Sequence, residues 1–485
     1  MTREPHGATT ALPGHVEFEG RPTVDRSAAR PVPVVREGDA QAFEMSPMQK
    51  RIWLAQRLAA ESGHCNVQRV LRLRGPLDAA RLAQGLNALV RRHESLRTAF
   101  PAHGETQVVQ RTAVLELPMT DLAGLGPDER DAAVRRLALA DARRPFDLAR
   151  APLLRTRLLR LGDDEHALLF AVHNIVCDGW SLGILFRELA AAYGTRSGDA
   201  IPGPAPSIQY ADYTEWRRRL RDDDAMARSI AYWRTRLAGV PRPRHPGGFS
   251  PAADLDGARR IDYPDASLAD AVAGVSRRAH VTPFAVFLAA YLVLLRQWSG
   301  TQDPVVGIPV AGRRHLETRS VVGLFADMVV IRADLAGRPS FVELVRRMHA
   351  MVTEAIDHQD VPFARLVEEL DPGNGHHGLP FFDIVINCTG DRQRIPARWG
   401  DLAVDVVDVD AGTSTYALTL FVRDEGRLKL ELVHRTAALT TQAAAAFLDE
   451  YQHVLRTACA DPQRSIDDLA PLTREPGDAP QGQVA

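Results

Sequence analysis

A chain of 485 residues, 45% hydrophobic and 25% charged, has the ordinary composition of a soluble protein with room for two or three packed domains. A net charge of −2 excludes the strong basic field that nucleic-acid binding needs, and no acidic tail occurs. No cationic leader with an apolar core is present, and no unbroken apolar run reaches about 18 residues. Neither a secretory signal nor a membrane span is expected, and the chain reads as cytoplasmic.

Residues 1–40 are rich in Pro, Gly, Arg and Ser without apolar periodicity, and read as a disordered arm. Ordered sequence is expected from near Phe43. Leu77 to His93 predicts a helix, with Asp78 as N-cap and Leu82, Leu86, Leu89 and Val90 on one face. Ala132 to Ala140 repeats that spacing. Leu153 to Leu159 and His166 to His173 read as strands, the second largely buried. Trp180 to Tyr193 returns to helical spacing behind Asp178 or Ser181 as cap.

Two Pro-rich stretches follow, Ser197 to Ser207 and Gly239 to Pro251, the second reading as a linker. Thr282 then caps a helix with Pro283 in its first position and Gly300 just past its end. This helix is apolar nearly all round and should be buried. Pro304 to Val310 reads as a strand. Thr415 to Val422 and Leu428 to Val433 flank Asp424-Glu425-Gly426, a hairpin signal. Strands and helices mix on both sides of the linker, which predicts two α/β lobes, residues 41–225 and 226–474, before a disordered tail at 475–485. Cys65, Cys177, Cys388 and Cys459 form no C-x-x-C pair, so neither a disulfide framework nor a thiolate zinc site is expected. His376-His377 has no carboxylate or Cys spacing to make it a metal site, and reads as a solvated loop.

The stretch "AVHNIVCDGWS" (Ala171 to Ser181) ends an apolar strand in His173 and meets an Asp-Gly turn five residues later. A side chain held between a buried strand and a helix start is rigidly presented, as chemistry requires. Alone, the pattern also occurs as a purely structural turn.

Further segments place it. "SPMQKRIWLAQRL" (Ser46 to Leu58), "RRHESLRTAF" (Arg91 to Phe100), "HNIVCDGWS" (His173 to Ser181), "YADYTEW" (Tyr210 to Trp216), "VGLFADMVVIR" (Val322 to Arg332) and "HQDVPFARLVEEL" (His358 to Leu370) resemble, in order, six signatures of nonribosomal peptide synthetase condensation domains. Thr282 to Arg313 resembles that family's buried helix and following strand. The resemblance covers about residues 43 to 473. It implies an α/β fold of two chloramphenicol acetyltransferase-like lobes, arranged as a V-shaped pseudo-dimer around a central tunnel. Through that tunnel an acyl or peptidyl group passes from a carrier-protein thioester to an amine or, less readily, a hydroxyl acceptor.

No cofactor is expected on this chain, since phosphopantetheine comes with the carrier proteins. The partners implied are a donor carrier, in some cases an acceptor carrier, and a small-molecule acceptor, met in trans by a free-standing monomer. No nucleic acid, membrane or metal is implied. Two departures from the family pattern stand out elsewhere: Asp327-Met328 replaces the usual Asn-Thr, and Gly378 to Asp383 matches the seventh signature only loosely.

In the family the loop reads His-His-x-x-x-Asp-Gly. Here His173 matches the first histidine, Asn174 the second, Asp178 the aspartate and Gly179 the glycine, with Trp180 and Ser181 supporting the loop. The resemblance implies that Asp178 pairs with an arginine, Arg313 first and Arg97 second. It also implies that Gly179 permits close approach of the substrate arm, or makes the turn. Asn174 is the departure that matters, because the second histidine is the proposed base or positioning group. Neighbouring strand residues face opposite ways, so His173 should point away from the site that Asn174 faces. Asparagine donates and accepts hydrogen bonds without titrating, which fits aligning an amine or holding an oxyanion. Three readings therefore stand: carrier-dependent condensation favouring amines, a non-catalytic platform that recruits synthetase or tailoring partners, and a coenzyme A acetyltransferase.

Overall fold

The computed structural model describes residues 30–195, 198–220, 224–240, 255–371, 381–389, 395–424 and 426–469. Two six-stranded sheets organise them. The first runs, edge to edge, Arg398–Trp399, Leu402–Val407, Asn66–Arg74, Glu165–His173, Leu154–Arg160 and Met119–Asp121. The second runs Asp327–Arg332, Val305–Val310, Ile384–Thr389, Leu418–Asp424, Leu428–Arg435 and Gly257–Asp262. A small sheet joins Ala40–Glu44, Thr106–Gln110 and Thr98–Ala99.

Glu165–His173 is apolar at nearly every position because both its faces are covered, so the usual half-buried alternation disappears. Leu168, Phe170 and Val172 pack with Leu86, Leu185 and Phe186, whereas Ala167 and Leu169 pack with Val134 and Ala138. The strand pairs antiparallel with Asn66–Arg74 along its whole length, His173 lying opposite Asn66.

The helix Ala79–Arg92 starts at Asp78, whose carboxylate accepts the Arg81 amide at 3.0 Å. The helix Pro283–Ser299 is capped by Thr282, has Pro at its first position, and stops at Gly300 in the left-handed region at φ 72°. Every residue from Phe284 to Leu295 is buried, making this helix the axis of the second core. The hairpin expected near the end is present, Leu418–Asp424 pairing with Leu428–Arg435.

Two boundaries differ from expectation. Residues 398–407 fall in the stretch assigned to the second lobe, yet their strands complete the first sheet, Val406 opposite Leu71. The chain thus crosses back and ties the lobes by backbone hydrogen bonds. The expectation of disorder up to about residue 40 also fails for its last part. The Val34 amide donates to Asp212 at 2.8 Å, and Arg36 pairs with Glu94 at 2.6 Å and Asp212 at 2.8 Å. A polar segment needs no apolar period when two nearly buried carboxylates fix it. The rest of the arm, the 475–485 tail, the core of the linker at 241–251 and His376-His377 lie outside the described residues.

No single helix among the described residues is long and apolar enough to cross a membrane.

Candidate active site

The site grows from the end of Glu165–His173. His173 is fully buried, its ring meeting Phe146 edge-on at 5.9 Å. Its Nδ1 accepts the Ile175 amide at 3.2 Å, so Nε2 carries the proton and donates to Gln56 Oε1 at 3.3 Å. Burial, and then the nearby His64 and Arg155, push its pKa down to about 3. His173 is a neutral ring that orders the loop, and it faces protein on every side.

Asn174 breaks from the strand. Its amide donates to the Cys65 carbonyl at 2.9 Å, and its carbonyl accepts the Cys177 amide. Its side chain is hydrogen-bonded to the Cys65 thiol, which burial nonetheless pushes up to about 12. Cys65 is thus a protonated neighbour, with no thiolate to act as base or nucleophile. The Asn174 Oδ1 is enclosed and has no hydrogen-bond partner among the described residues.

Asp178 closes the loop. It caps the helix Gly179–Gly194, accepting the Ser181 amide at 2.7 Å. Arg313 donates to both its oxygens, at 3.2 and 3.3 Å, and the Phe325 and Ala326 amides donate at 3.0 and 3.2 Å. Arg313 also bonds Ser181 Oγ at 2.8 Å and the carbonyls of Thr318 and Val321, and stacks on Phe325. Burial lowers the Arg313 pKa and the Asp178 charge opposes that fall. Arg97, the second candidate, does not reach Asp178: it bonds the Gln110 carbonyl and pairs with Glu94.

The segment 318–326 is gripped from the first sheet's side at several points. Trp180 Nε1 donates to the Arg319 carbonyl at 3.0 Å, Ser95 Oγ to Val322 at 2.6 Å, and Tyr210 OH to Leu324 at 2.6 Å. Ser181 Oγ donates to the Gly323 carbonyl at 2.9 Å and accepts its amide at 3.0 Å. A Cβ on Gly323 would lie 2.2 Å from the Tyr210 ring, so only glycine fits here. Gly179 takes the first position of the helix, beside the capping carboxylate.

Asp327, at the departure from Asn-Thr, accepts the Phe363 amide at 3.2 Å at the start of the helix Phe363–Leu370. Burial pushes its pKa up to about 6 against those amide bonds. His93 and Glu94 are structural: the first pairs with Glu188 at 2.6 Å, the second with Arg36. Among the described residues no three His, Cys, Asp or Glu side chains gather as a metal site.

Sequence reading missed Cys65, Gln56 and the amides of Phe325 and Ala326. Only the pairing of Asn66 with His173, a long-range register, brings Cys65 to the loop.

Two lobes of mixed α/β structure, joined where a strand-end His-Asn-x-x-x-Asp-Gly loop meets an arginine from the second lobe, define a two-lobed fold of the chloramphenicol acetyltransferase type. A family model for the condensation domain matches residues 39–476, and the chain belongs to that family. Condensation domains are the acyl-transferring, amide-forming domains of nonribosomal peptide synthesis. The chain is 34% identical over 467 residues to chondramide synthase cmdD of Chondromyces crocatus, covering 94% of this chain. It spans only 12% of that synthase's length. Among solved structures it is similar to the X-domain, solved in complex with OxyB, from teicoplanin biosynthesis (TM-score 0.79, 26% identity, 92% of this chain and 99% of that one). It is also similar to SgcC5 from Streptomyces globisporus (TM-score 0.71, 25% identity, 87% of this chain and 100% of that one).

Proposed function

We propose that this chain transfers an acyl or peptidyl group from a carrier-protein thioester to an amine acceptor. The observation that carries the reading is the enclosed, unpartnered Oδ1 of Asn174 on a loop otherwise saturated with hydrogen bonds. An enclosed acceptor without a donor is costly unless a ligand supplies one. An attacking amine has an N–H to spare while its lone pair stays free for the carbonyl.

The amine nitrogen attacks the thioester carbon, and the carbonyl electrons move to oxygen. They return as the C–S bond breaks, and the ammonium proton of the intermediate passes to the departing pantetheine thiolate. Amide and free thiol result, and no side chain needs to titrate. An alcohol is different, because it must lose its proton as it attacks. General-base help is typically worth ~10²–10⁴-fold, so the alcohol bears most of the loss that Asn174 brings. His173 does not fill the gap, being neutral and turned toward Gln56. The reading includes carriers met in trans, each bringing its own phosphopantetheine, and a monomeric chain acting in the cytoplasm.

A second reading is a platform without catalysis. The non-titrating Asn174 favours it, as does the likeness to the X-domain, which is solved in complex with OxyB. One experiment separates the two. The protein, wild type and Asn174→His, is incubated with an acyl-loaded carrier and matched amine and alcohol acceptors. Wild-type turnover with the amine supports condensation, and equal or faster turnover with the alcohol overturns the amine preference. Activity in the His variant alone identifies a degenerate site, and activity in neither favours the platform.

A further inference from the structure

The second sheet has two unlike faces. Leu420, Val422, Leu430 and Leu432 pack into the helical core. The opposite face, reached by the alternate residues, carries Lys429 and Glu431, both buried, and Arg259 and Arg423, both part-buried. Charges on a sheet face are withdrawn from water in this way when another body covers it. Asp408, just past the first-sheet strand Leu402–Val407, meets Lys429 on this face, and Arg69 on Asn66–Arg74 lies within range of the charges of Arg423, Glu431 and Asp408.

The charges there do not balance. Glu431 meets Arg259 at 3.3 Å and Arg423 at 3.1 Å, Asp408 meets Lys429 at 2.8 Å, and Asp410 lies 4.0 Å from Arg259. Among the described residues four cations thus face three carboxylates, and Arg69 is the cation with no ion pair. Its one hydrogen bond goes to the carbonyl of its neighbour Gln68, at 2.7 Å. Burial, and then the like charge of Arg423, lower the Arg69 pKa, while Glu431 and Asp408 oppose the fall only from a distance. A part-buried guanidinium with most of its fork unused calls for an anion.

Its position says which kind. Arg69 lies three residues along the strand from Asn66, which pairs with His173. That is about 10 Å of strand, and the Arg69 charge is felt at Cys177 inside the loop. The phosphate of a pantetheine arm sits at the far end of the arm from the thioester, so it is out of reach of a cation beside the reacting atoms. A carboxylate near the reacting group of a substrate is within reach, and planar bidentate pairing suits it.

We infer that Arg69 binds a carboxylate carried by one of the two substrates, making this site selective for an acidic substrate. The inference rests on the condensation reading for the word substrate, but its test is binding. Full-length wild type, Arg69→Leu and Arg69→Lys are titrated calorimetrically in two arms. The acceptor arm compares the free proteinogenic L-amino acids with their C-terminal amides. The donor arm compares succinyl-pantetheine with succinamoyl-pantetheine.

In at least one arm the carboxylate form is expected to bind wild type about 10- to 100-fold more tightly, the worth of a charged hydrogen-bonded pair, and the arm names its source. Arg69→Leu should abolish the preference and leave the neutral form's affinity unchanged, and Arg69→Lys should keep part of it. No preference in either arm overturns the inference. So does a preference that survives Arg69→Leu, or an equal loss for charged and neutral forms. Should the Leu variant fail to fold, a full preference retained in Arg69→Lys overturns it instead. Selective binding without turnover sinks the condensation reading and leaves Arg69's role standing, whereas turnover without selectivity does the reverse.

Discussion

Asp178 and Arg313 lie 135 residues apart in sequence, yet their side chains meet at 3.2 Å and are only 3% and 1% exposed. The pair closes the His173–Ser181 loop onto the second lobe, and Ser181, Phe325, Ala326, Thr318 and Val321 supply its further hydrogen bonds, leaving only Arg313 Nε without a partner among the described residues. Breaking a buried pair by removing one partner strands the other charge, typically at ~3–5 kcal/mol. Asp178→Asn and Arg313→Met should each destabilise the protein by that order. The double variant should lose clearly less than the sum, because no orphan charge remains. Urea unfolding of the four proteins measures this, and strict additivity would refute the coupling.

Gly323 carries the same junction by its lack of a side chain. Tyr210 cannot swing away from an added methyl, since its hydroxyl bonds both Leu324 and Ser46 and its ring is buried. Gly323→Ala should therefore cost ~1–3 kcal/mol, the usual toll of overpacking. It should also lower kcat, because the displaced segment holds the amides that grip Asp178. Thermal melting and acyl transfer kinetics would show both. An unchanged melting temperature counts against the close fit.

Elements with strong local signals were legible in the sequence. Asp78, Thr282, Pro283 and Gly300 mark helix ends by interactions within one turn, and the structure places those ends within two residues of them. His173 is buried as expected, but both faces of its strand are covered and Asn174 lies past the strand's end, so alternation alone did not decide the placement. Residues 398–407 were not legible, since a short run such as Leu402–Val407 fits either sheet by its own pattern. Only pairing with Asn66–Arg74 decides it. Cys65 beside Asn174 is likewise a product of register. The Arg313 assignment came from the family resemblance, because nothing local in the sequence ties it to Asp178.

His173 predicts a pH dependence of stability. Its folded pKa, about 3, lies below the ordinary histidine value of 6.5. Between those values the unfolded chain binds a proton that the folded protein refuses, so this residue's contribution is whole above pH 6.5 and lost as pH falls toward 3. The slope is ~1.4 kcal/mol per pH unit for one proton. His173→Gln can accept the Ile175 amide and bond Gln56 without titrating. Urea midpoints taken from pH 7.5 down to 4.5 should fall less steeply in the variant, by that single proton. Parallel slopes would mean that His173 titrates normally in the fold.

Asp327 predicts the opposite sign. Burial raises its carboxyl from 3.8 to about 6, so between those values the folded state holds a proton that the unfolded chain has lost. Stability from this residue therefore declines as pH rises through that window, and the folded protein carries a disfavoured carboxylate above it. The amides of Met328 and Phe363 reduce the penalty without cancelling it. Asn in this position keeps an oxygen for the Phe363 amide and removes the charge. Asp327→Asn should thus match wild type near pH 4 and become the more stable protein by pH 7. Thermal melting of both proteins at the two pH values decides it. A variant less stable at pH 7 would show that the carboxylate's bonds to the helix start outweigh its burial.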